Sequence, residues 1–360
     1  MPAFFLIIIV FATLNANSTQ SCKTCHKNIY LEFQESMHKH STLKKDPIFN
    51  AMWQKHPDSK KGKFSCAKCH APKESQNQIT CLTCHKIKDI KEHPQANENI
   101  YETEDKLFYS AQKGKENQKV IYKKQSSWFG LINKTEGSPY HDIDYRNEIF
   151  YNGKVCMGCH SHKRNKHNFL LCKTSMQGVS KTKQNCISCH MPQVKGSATS
   201  IRLSKTHAYH GFAGLFNNPQ FLSKYIDITL SKTKETLIIT LSNNAPHKLL
   251  LHPLRVLELR VNIISNNKTI PLKKYRFEKV IGTNNKVSMP WEATQTLRDN
   301  RLDANEKRQF ILPYKIKKGD KIEVILGYYL IKENNLKILS LDKEKKIKDF
   351  IILKHLYIKE

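Results

Sequence analysis

The sequence predicts two domains of different class: a helical and irregular N-terminal domain with few strands over residues 19–217, followed by an all-β antiparallel sandwich domain over residues 218–360. Ten of the 11 cysteines fall into copies of one short motif between Cys22 and His190, in a region poor in long apolar runs. Beyond about Asn218, apolar and polar residues alternate as they do in half-buried strands. A length of 360 residues suits two domains.

The first residues carry the features of an export signal. Phe4 to Leu14 is a run of eleven residues that are all apolar except Thr13, and a small, polar stretch from Asn15 to Gln20 follows it. The run is too short to span a bilayer, and cleavage after Ala16 or Ser18 would suit a secretory signal peptide. We therefore predict a signal peptide over residues 1–18 and a soluble periplasmic protein. A buried N-terminal strand and an uncleaved anchor are the alternatives.

The cysteine motif is C-x-x-C-H, which is typical of c-type haem attachment. Its two thiols can form thioethers with the two vinyl groups of one haem, and the adjacent imidazole can bind the haem iron. Five copies therefore predict five covalently bound c-type haems, each with the motif histidine as proximal iron ligand. The five sites consist of Cys22, Cys25 and His26; Cys66, Cys69 and His70; Cys81, Cys84 and His85; Cys156, Cys159 and His160; and Cys186, Cys189 and His190.

Zinc ribbons and thioredoxin-like redox pairs also contain C-x-x-C. Neither requires a histidine directly after every pair, so the complete motif favours haem. Attachment of c-type haem takes place outside the bacterial cytoplasm, which agrees with the predicted signal peptide.

Residues 19–217 are rich in Lys, Ser, Asn and Gly, and such a segment cannot bury enough aliphatic surface to fold alone. Haem macrocycles would supply the missing core, as cofactors do for other chains with too few apolar side chains. In this region we predict short helices, for example over Ile29 to Glu35, joined by loops.

The C-terminal part contains four strand-like segments, separated by turn-forming stretches such as Ser242 to Asn244 and Lys318 to Asp320. An antiparallel sandwich is the expected way for such strands to bury their apolar faces. The predicted strands begin at Tyr225, Leu237, Val256 and Lys321.

The chain is strongly basic, with 60 Lys and Arg against 31 Asp and Glu and a net charge of +29. The ionised propionates of five haems would lower this charge to about +19. A basic surface favours redox proteins with acidic docking surfaces, membrane quinol-oxidising cytochromes, or peripheral contact with an anionic membrane. A biased genome composition would produce the same excess of lysine. We expect no binding of nucleic acid by an exported cytochrome.

The sixth ligand decides what each iron can do, because a second protein ligand makes an electron carrier and an open position can bind a substrate. Twelve histidines lie outside the motifs, more than enough for five irons. Some of them must be ordinary surface or hydrogen-bonded residues.

Several segments around these histidines resemble the cytochrome c-552/c-554-like multihaem family. They are Phe33 to His38, Gly137 to His141, His207 to Phe212 after the fifth motif, and Asn244 to Arg255 in the β part. The resemblance implies that a histidine of each segment is a distal haem ligand and that the C-terminal β-domain contributes one of them. The distal ligands that we predict are His38, His93, His141, His210 and His247, with His56 and His207 in reserve.

The chain departs from its relatives at two points. Relatives usually carry Gly-His-x-x-Pro-x-Gly where this chain has Pro246 to His252, so His252 competes with His247. Lysine replaces no motif histidine, so the lysine-ligated catalytic haem of many nitrite reductases is absent. The sequence also shows no partner for the covalent tyrosine crosslink of hydroxylamine-oxidising relatives.

We therefore predict a pentahaem electron carrier with mostly bis-histidine ligation. The alternative is a reductase of nitrite, hydroxylamine or tetrathionate at a haem with an open or labile distal site. Cys172 lies between the fourth and fifth motifs and could supply a reactive thiolate there. A small buried thiol is the simpler interpretation of this residue. Five saturated irons would support the carrier, and one vacant position would support the enzyme.

Overall fold

The computed structural model describes residues 19–62, 64, 66–71, 78–126, 133–174, 184–233, 235–266, 268–315 and 317–359. The predicted signal peptide lies outside these residues. Among the helices of the described part, none is long and apolar enough to cross a membrane.

Twelve α-helices occur in the described residues, most of them a single turn. The predicted helix over Ile29 to Glu35 corresponds to α2, which ends where Ser36 takes an extended conformation and caps the next helix through its side chain. The helices are α1 Thr19–Cys22, α2 Lys27–Glu35, α3 Met37–His40, α4 Pro47–Lys55, α5 Ala67–His70, α6 Cys81–His85, α7 Ile149–Asn152, α8 Met157–His160, α9 Cys186–His190, α10 Gln220–Ser223, α11 Glu333–Ile338 and α12 Lys345–Lys348.

The N-terminal part contains more strands than we expected, but each has only two to five residues. They pair into small sheets: β1 with β2, β5 with β6, β8 with β9, β10 with β11, and the three strands β3-β7-β4. Strands this short carry too few residues for an alternating pattern to show. They are β1 Ile87–Lys91, β2 Glu98–Tyr101, β3 Leu107–Tyr109, β4 Lys119–Val120, β5 Lys123–Ser126, β6 Asn133–Glu136, β7 Asp142–Asp144, β8 His162–Arg164, β9 Leu170–Lys173, β10 Gln193–Lys195 and β11 Thr206–Ala208.

The C-terminal part is built from longer antiparallel strands. They form the sheets β12-β13-β19, β15-β14-β20-β21 and β17-β16-β18. The four segments predicted from alternation correspond to β12, β13, β14 and β20. The strands are β12 Ile226–Lys232, β13 Thr236–Asn243, β14 Val256–Ser265, β15 Lys268–Phe277, β16 Lys279–Thr283, β17 Lys286–Val287, β18 Gln295–Asp299, β19 Lys307–Pro313, β20 Lys321–Tyr329 and β21 Ile351–Lys359.

Two of these sheets share one hydrophobic core. Every second side chain of β13, including Leu237 and Leu241, is fully buried in it, as are Leu259 on β14 and Leu326 on β20. Because side chains alternate between the faces of a strand, this pattern places one face of each sheet against the other. We propose that this packing is the predicted antiparallel sandwich.

The predicted boundary between residues 217 and 218 does not separate two independent cores. Ile48 of α4 is buried in the core of the β sheets, and Met52 and Leu215 pack against it. Helix α4 therefore lies between the β sheets and the region of the cysteine motifs. It brings the two parts of the chain into contact.

Leu241→Ala should lower the free energy of unfolding of the holo-protein by about 2–5 kcal/mol, because the side chain is completely buried and its loss leaves a cavity. Ile311→Ala is the matched control, since Ile311 lies in the same sheet but is 64% exposed, and should change stability by less than about 0.5 kcal/mol. Guanidinium denaturation followed by the fluorescence of the tryptophans measures both. Equal effects of the two variants would contradict this assignment of the core.

Candidate functional site: five cysteine–histidine sites and their facing imidazoles

Four of the five motifs end in a helical turn that carries the histidine, namely α5, α6, α8 and α9. Residues three and four positions apart lie on the same side of a helix, so the two thiols and the imidazole point to one side of this turn. Local capping fixes where the turn begins. The side chain of Asn185, for example, accepts hydrogen bonds from the backbone N–H groups of Ile187 and Ser188, at 2.9 and 3.0 Å.

Backbone carbonyls orient four of the motif imidazoles through Nδ1. A carbonyl oxygen can only accept a hydrogen bond, so Nδ1 carries the proton and the lone pair of Nε2 is left for a metal ion. These bonds join His26 to Ala198 at 2.8 Å, His70 to Ser41 at 3.0 Å, His85 to Tyr109 at 2.7 Å and His190 to Ala213 at 2.6 Å.

A second imidazole lies opposite four of the five motif histidines. Three pairs have nearly parallel rings, with interplanar angles of 16–26°, and the pair of His38 and His160 is perpendicular at 90°. The ring-centroid distances are 6.2 Å for His26 and His141, 5.8 Å for His160 and His38, 6.3 Å for His85 and His210, and 6.2 Å for His190 and His247.

These separations fit one metal ion between the two rings of each pair. Two imidazoles that bind a metal ion from opposite sides, through bonds of about 2.0 Å, would have ring centroids roughly 6.3 Å apart. All four pairs lie within half an ångström of this value. The residues present therefore fit a haem iron at each of the four sites.

The four facing imidazoles are in the neutral form that a metal ion requires. Burial lowers the pKa of His38 to about 3 and that of His210 to about 4, and it also lowers the pKa of His141 and His247. Nδ1 of His210 and of His247 bonds the carbonyls of Ala208 and Lys248, at 2.7 and 2.9 Å. As in the motif histidines, Nε2 is left for the metal ion.

Buried polar atoms without a partner mark the same region. In the described part of the chain these atoms are Nε2 of Gln34, Nδ1 of His38, Oδ1 of Asn99, Nδ1 of His141 and Oγ of Ser161, all in the N-terminal part. An unpaired buried polar group is costly, so each indicates a missing partner. Haem propionates and ordered water could supply partners, which is a second observation consistent with a polar cofactor here.

The His70 site differs from the other four. All 17 histidines of the chain lie in the described residues, and among these no second imidazole contacts the ring of His70. Its neighbour is Phe49, whose ring lies 4.0 Å away at an interplanar angle of 18°. The structure therefore gives this site one imidazole where the others have two.

An aromatic cluster surrounds the His70 site. Ring contacts continue from Phe49 to Phe64, from Phe64 to Trp53, and from Trp53 to His56. His56, a reserve ligand in our prediction, therefore belongs to the cluster but is separated from His70 by three rings. Its Nδ1 accepts a hydrogen bond from the backbone N–H of Asp58 at 3.1 Å, which leaves its Nε2 available to a ligand.

Two other predicted ligands do not lie opposite a motif histidine. His93 lies in a turn, where its Nδ1 accepts a hydrogen bond from Gln95 N–H at 3.3 Å, and its assignment stays a prediction that no ring contact in the described residues supports. His207 bonds the carbonyl of Gly196 and the carboxylate of Glu32 with its two nitrogens, each at 2.9 Å. With both nitrogens occupied, the reserve ligand His207 cannot bind a metal ion.

Glu32 explains why His210 rather than His207 faces the third motif. Its second oxygen accepts a hydrogen bond from the backbone N–H of His210 at 2.8 Å, while its first oxygen holds His207. The carboxylate of α2 therefore fixes the loop that carries both histidines. Sequence alone showed two histidines three residues apart and could not choose between them.

His252 and Cys172 take structural positions. Nδ1 of His252 accepts a hydrogen bond from Leu254 N–H at 3.2 Å, whereas its competitor His247 faces His190. Cys172 lies on β9 opposite Lys163 of β8, and burial raises the pKa of its thiol. A raised pKa disfavours the reactive thiolate.

Contacts between thiols give the order of the sites in space. Cys22 lies beside Cys81, Cys69 beside Cys159, and Cys156 beside Cys186, and Cys84 lies near both cysteines of the fourth motif. The first site therefore adjoins the third, the third adjoins the fourth, and the fourth also adjoins the second and the fifth. This branched order does not follow the order of the motifs along the chain.

No protein-family model matches the chain, and no curated protein matches it. Its fold is similar to that in the crystal structure of a penta-haem cytochrome c552 from Thermochromatium tepidum, with a TM-score of 0.71 and 20% sequence identity. The match covers 95% of this chain and 98% of the other. At this identity the likeness shows a shared fold over nearly the whole length, and a shared fold does not assign a function.

His247→Ala should remove the imidazole that faces His190 and convert one low-spin haem iron of the loaded protein to high spin. The matched control is His252→Ala, because His252 is a buried histidine of the same loop region that faces no motif histidine. Electron paramagnetic resonance and carbon monoxide binding measure the change. An unchanged spectrum of His247→Ala, at wild-type haem content, would refute the assignment.

Proposed function

We propose that this chain is an exported, periplasmic c-type cytochrome that binds five haems covalently and carries electrons between redox partners. The observation that carries the proposal is the set of four imidazole pairs, whose ring centroids are 5.8–6.3 Å apart. One ring of each pair belongs to the histidine of a complete C-x-x-C-H motif. The fold shared with a penta-haem cytochrome c552 supports the same interpretation.

Haem bound at these sites would supply reversible one-electron oxidation and reduction. Two imidazoles would hold the iron at each of four sites, so these sites would offer no position to a substrate. Ligation by two histidines also favours a low reduction potential, because a methionine ligand would raise it. Four sites with two imidazole ligands each are therefore suited to electron transfer and not to catalysis.

The residues behind the ligands tune these sites. Carbonyl oxygens that accept the Nδ1 proton of His26, His85 and His190 hold each ring in one orientation and increase the basicity of Nε2. Burial keeps the facing imidazoles neutral. The adjacency of all five sites, through thiols of neighbouring motifs, would give a continuous path for electrons.

A second candidate function rests on the His70 site. No second imidazole of the described residues contacts its ring, so a haem iron held by His70 would keep a position for a substrate or a labile ligand. Such a site could reduce a small nitrogen or sulfur oxyanion, such as nitrite or tetrathionate, or hydroxylamine. His56 in the neighbouring aromatic cluster could serve as a proton donor or a labile ligand. Cys172 adds no support to this candidate, because burial raises the pKa of its thiol and disfavours the thiolate that could bind iron or attack sulfur.

The basic surface supports the proposal on partners. With a net charge of +29 before cofactors, the protein should associate with acidic redox proteins, or with quinol-oxidising cytochromes of the membrane, at rates that fall as salt is added. Peripheral contact with anionic lipid is compatible with the same charge.

Stopped-flow mixing of the fully reduced protein with nitrite, hydroxylamine or tetrathionate separates the two candidates. For a carrier we expect reoxidation slower than about 0.1 s⁻¹, below the range of about 1–10³ s⁻¹ in which most enzymes turn over. Oxidation of the haem absorption bands measures the rate. Reoxidation faster than about 1 s⁻¹ that carbon monoxide abolishes would overturn the carrier and favour the reductase.

A further inference from the structure

A loop beside the first motif forms a rigid, exposed surface. The backbone N–H of Ser200 donates to the carbonyl of Cys25 at 2.8 Å, and Ala198 accepts the Nδ1 proton of His26 at 2.8 Å. Within the loop, Ser204 N–H donates to the hydroxyl of Ser197 at 2.9 Å. The loop therefore keeps a fixed position against the backbone and the imidazole of the first site.

The tip of this loop exposes two large apolar side chains. Leu203 is 84% exposed, more than any other large hydrophobic side chain of the described residues, and Ile201 is 59% exposed. On the other side of the site, Tyr140 is 65% exposed and directly precedes His141. Apolar groups this exposed on a fixed loop are typical of an interaction surface.

Cations surround the apolar tip. Arg202 and Lys205 are exposed on the loop itself, Lys23 is exposed within the first motif, and Lys27 is exposed directly after it. No acidic residue occurs between His190 and Ile226. The carboxylate of Glu32 is engaged by His207 and the backbone of His210, and the guanidinium of Arg202 donates to the carbonyl of Thr135, next to the exposed Glu136, at 3.4 Å. The surface therefore combines an apolar centre with a positive rim.

We infer that Ile201, Arg202, Leu203 and Lys205, with Lys23 and Lys27 beside them, form the docking surface for a small acidic electron-transfer protein. We call these residues the 201–205 patch. An apolar centre with a charged rim is the anatomy of a transient protein interface, and its charge complements an acidic partner. A membrane surface is the less suitable occupant, because the patch presents only two apolar side chains and directly contacts the first site.

The position of the first site fits this role. Cys22 lies beside Cys81 of the third motif, and Cys84 of the third motif lies near the fourth. The first site is thus at one end of the branched order, where electrons would enter or leave. This inference rests on the proposed electron-carrier function and identifies the surface at which electrons would enter or leave the protein.

The test uses the holo-protein and a plant-type [2Fe–2S] ferredoxin as the acidic probe. Binding of redox-inert, gallium-substituted ferredoxin is measured by calorimetry at low ionic strength, so that association is read without electron transfer. We expect Arg202→Glu/Lys205→Glu to weaken binding about tenfold or more, and Ile201→Ser/Leu203→Ser to weaken it without changing the net charge. The matched control is Lys345→Glu/Lys346→Glu, with the same charge change on exposed α12, and should alter Kd less than about twofold.

Equal weakening by the two charge-reversal variants would overturn the inference, because the effect would then come from net charge alone. The inference would also be wrong if Arg202→Glu/Lys205→Glu bound ferredoxin as the wild type does but no longer sedimented with phosphatidylglycerol vesicles. The patch would then bind a membrane. Reduction by neutral lumiflavin semiquinone distinguishes a failure of the proposed electron-carrier function from a failure of the 201–205 patch. A protein that takes up no electrons from lumiflavin fails as a carrier, whereas normal uptake with unchanged ferredoxin binding in the loop variants refutes the patch alone.

Discussion

The spacing between paired imidazoles is the constraint on which the N-terminal part of the molecule depends. Each of the four pairs consists of two imidazole rings from segments far apart in sequence, with ring centroids close to 6 Å apart. Direct packing of the two rings would allow a shorter distance. The apolar cluster of this part is small, with Ile87, Ile90, Leu107, Tyr109, Ile149 and Phe150 as its buried members. A metal ion in each gap would join segments that this cluster cannot hold by itself.

The β part of the chain is a rigid support for His247. Its core of fully buried Leu, Ile and Val side chains is formed by long antiparallel strands, and His247 follows one of them, β13. Asn165 of the N-terminal part donates hydrogen bonds to the carbonyls of Pro290 and Ala293, at 2.9 and 2.6 Å, and Lys279 donates to those of Leu170 and Leu171. These contacts join the two parts of the chain. In the β part, the side chain of Asn243 donates to the carbonyl of His247 at 2.9 Å, and the His247 ring faces that of His190.

The sequence predicts the sites better than it predicts their arrangement. The five motifs can be recognised because covalent haem attachment would need a fixed spacing, and alternation identified β12, β13, β14 and β20 because each is long and half buried. The choice of His210 over His207 depends on one carboxylate, Glu32, from a helix 175 residues earlier, and no local pattern reveals it. The burial of Ile48 in the β core is likewise a long-range contact.

The most direct test of this account is the spin state of the irons in the fully oxidised, wild-type protein. Quantitative electron paramagnetic resonance at low temperature should find at least four low-spin irons per chain, one for each imidazole pair. One of the low-spin signals should have the large anisotropy of perpendicular imidazole planes, as expected for His38 and His160 at 90°. Five low-spin irons would show that the His70 site has a sixth ligand, and two or more high-spin irons would show that the imidazole pairs do not bind metal as their spacing implies.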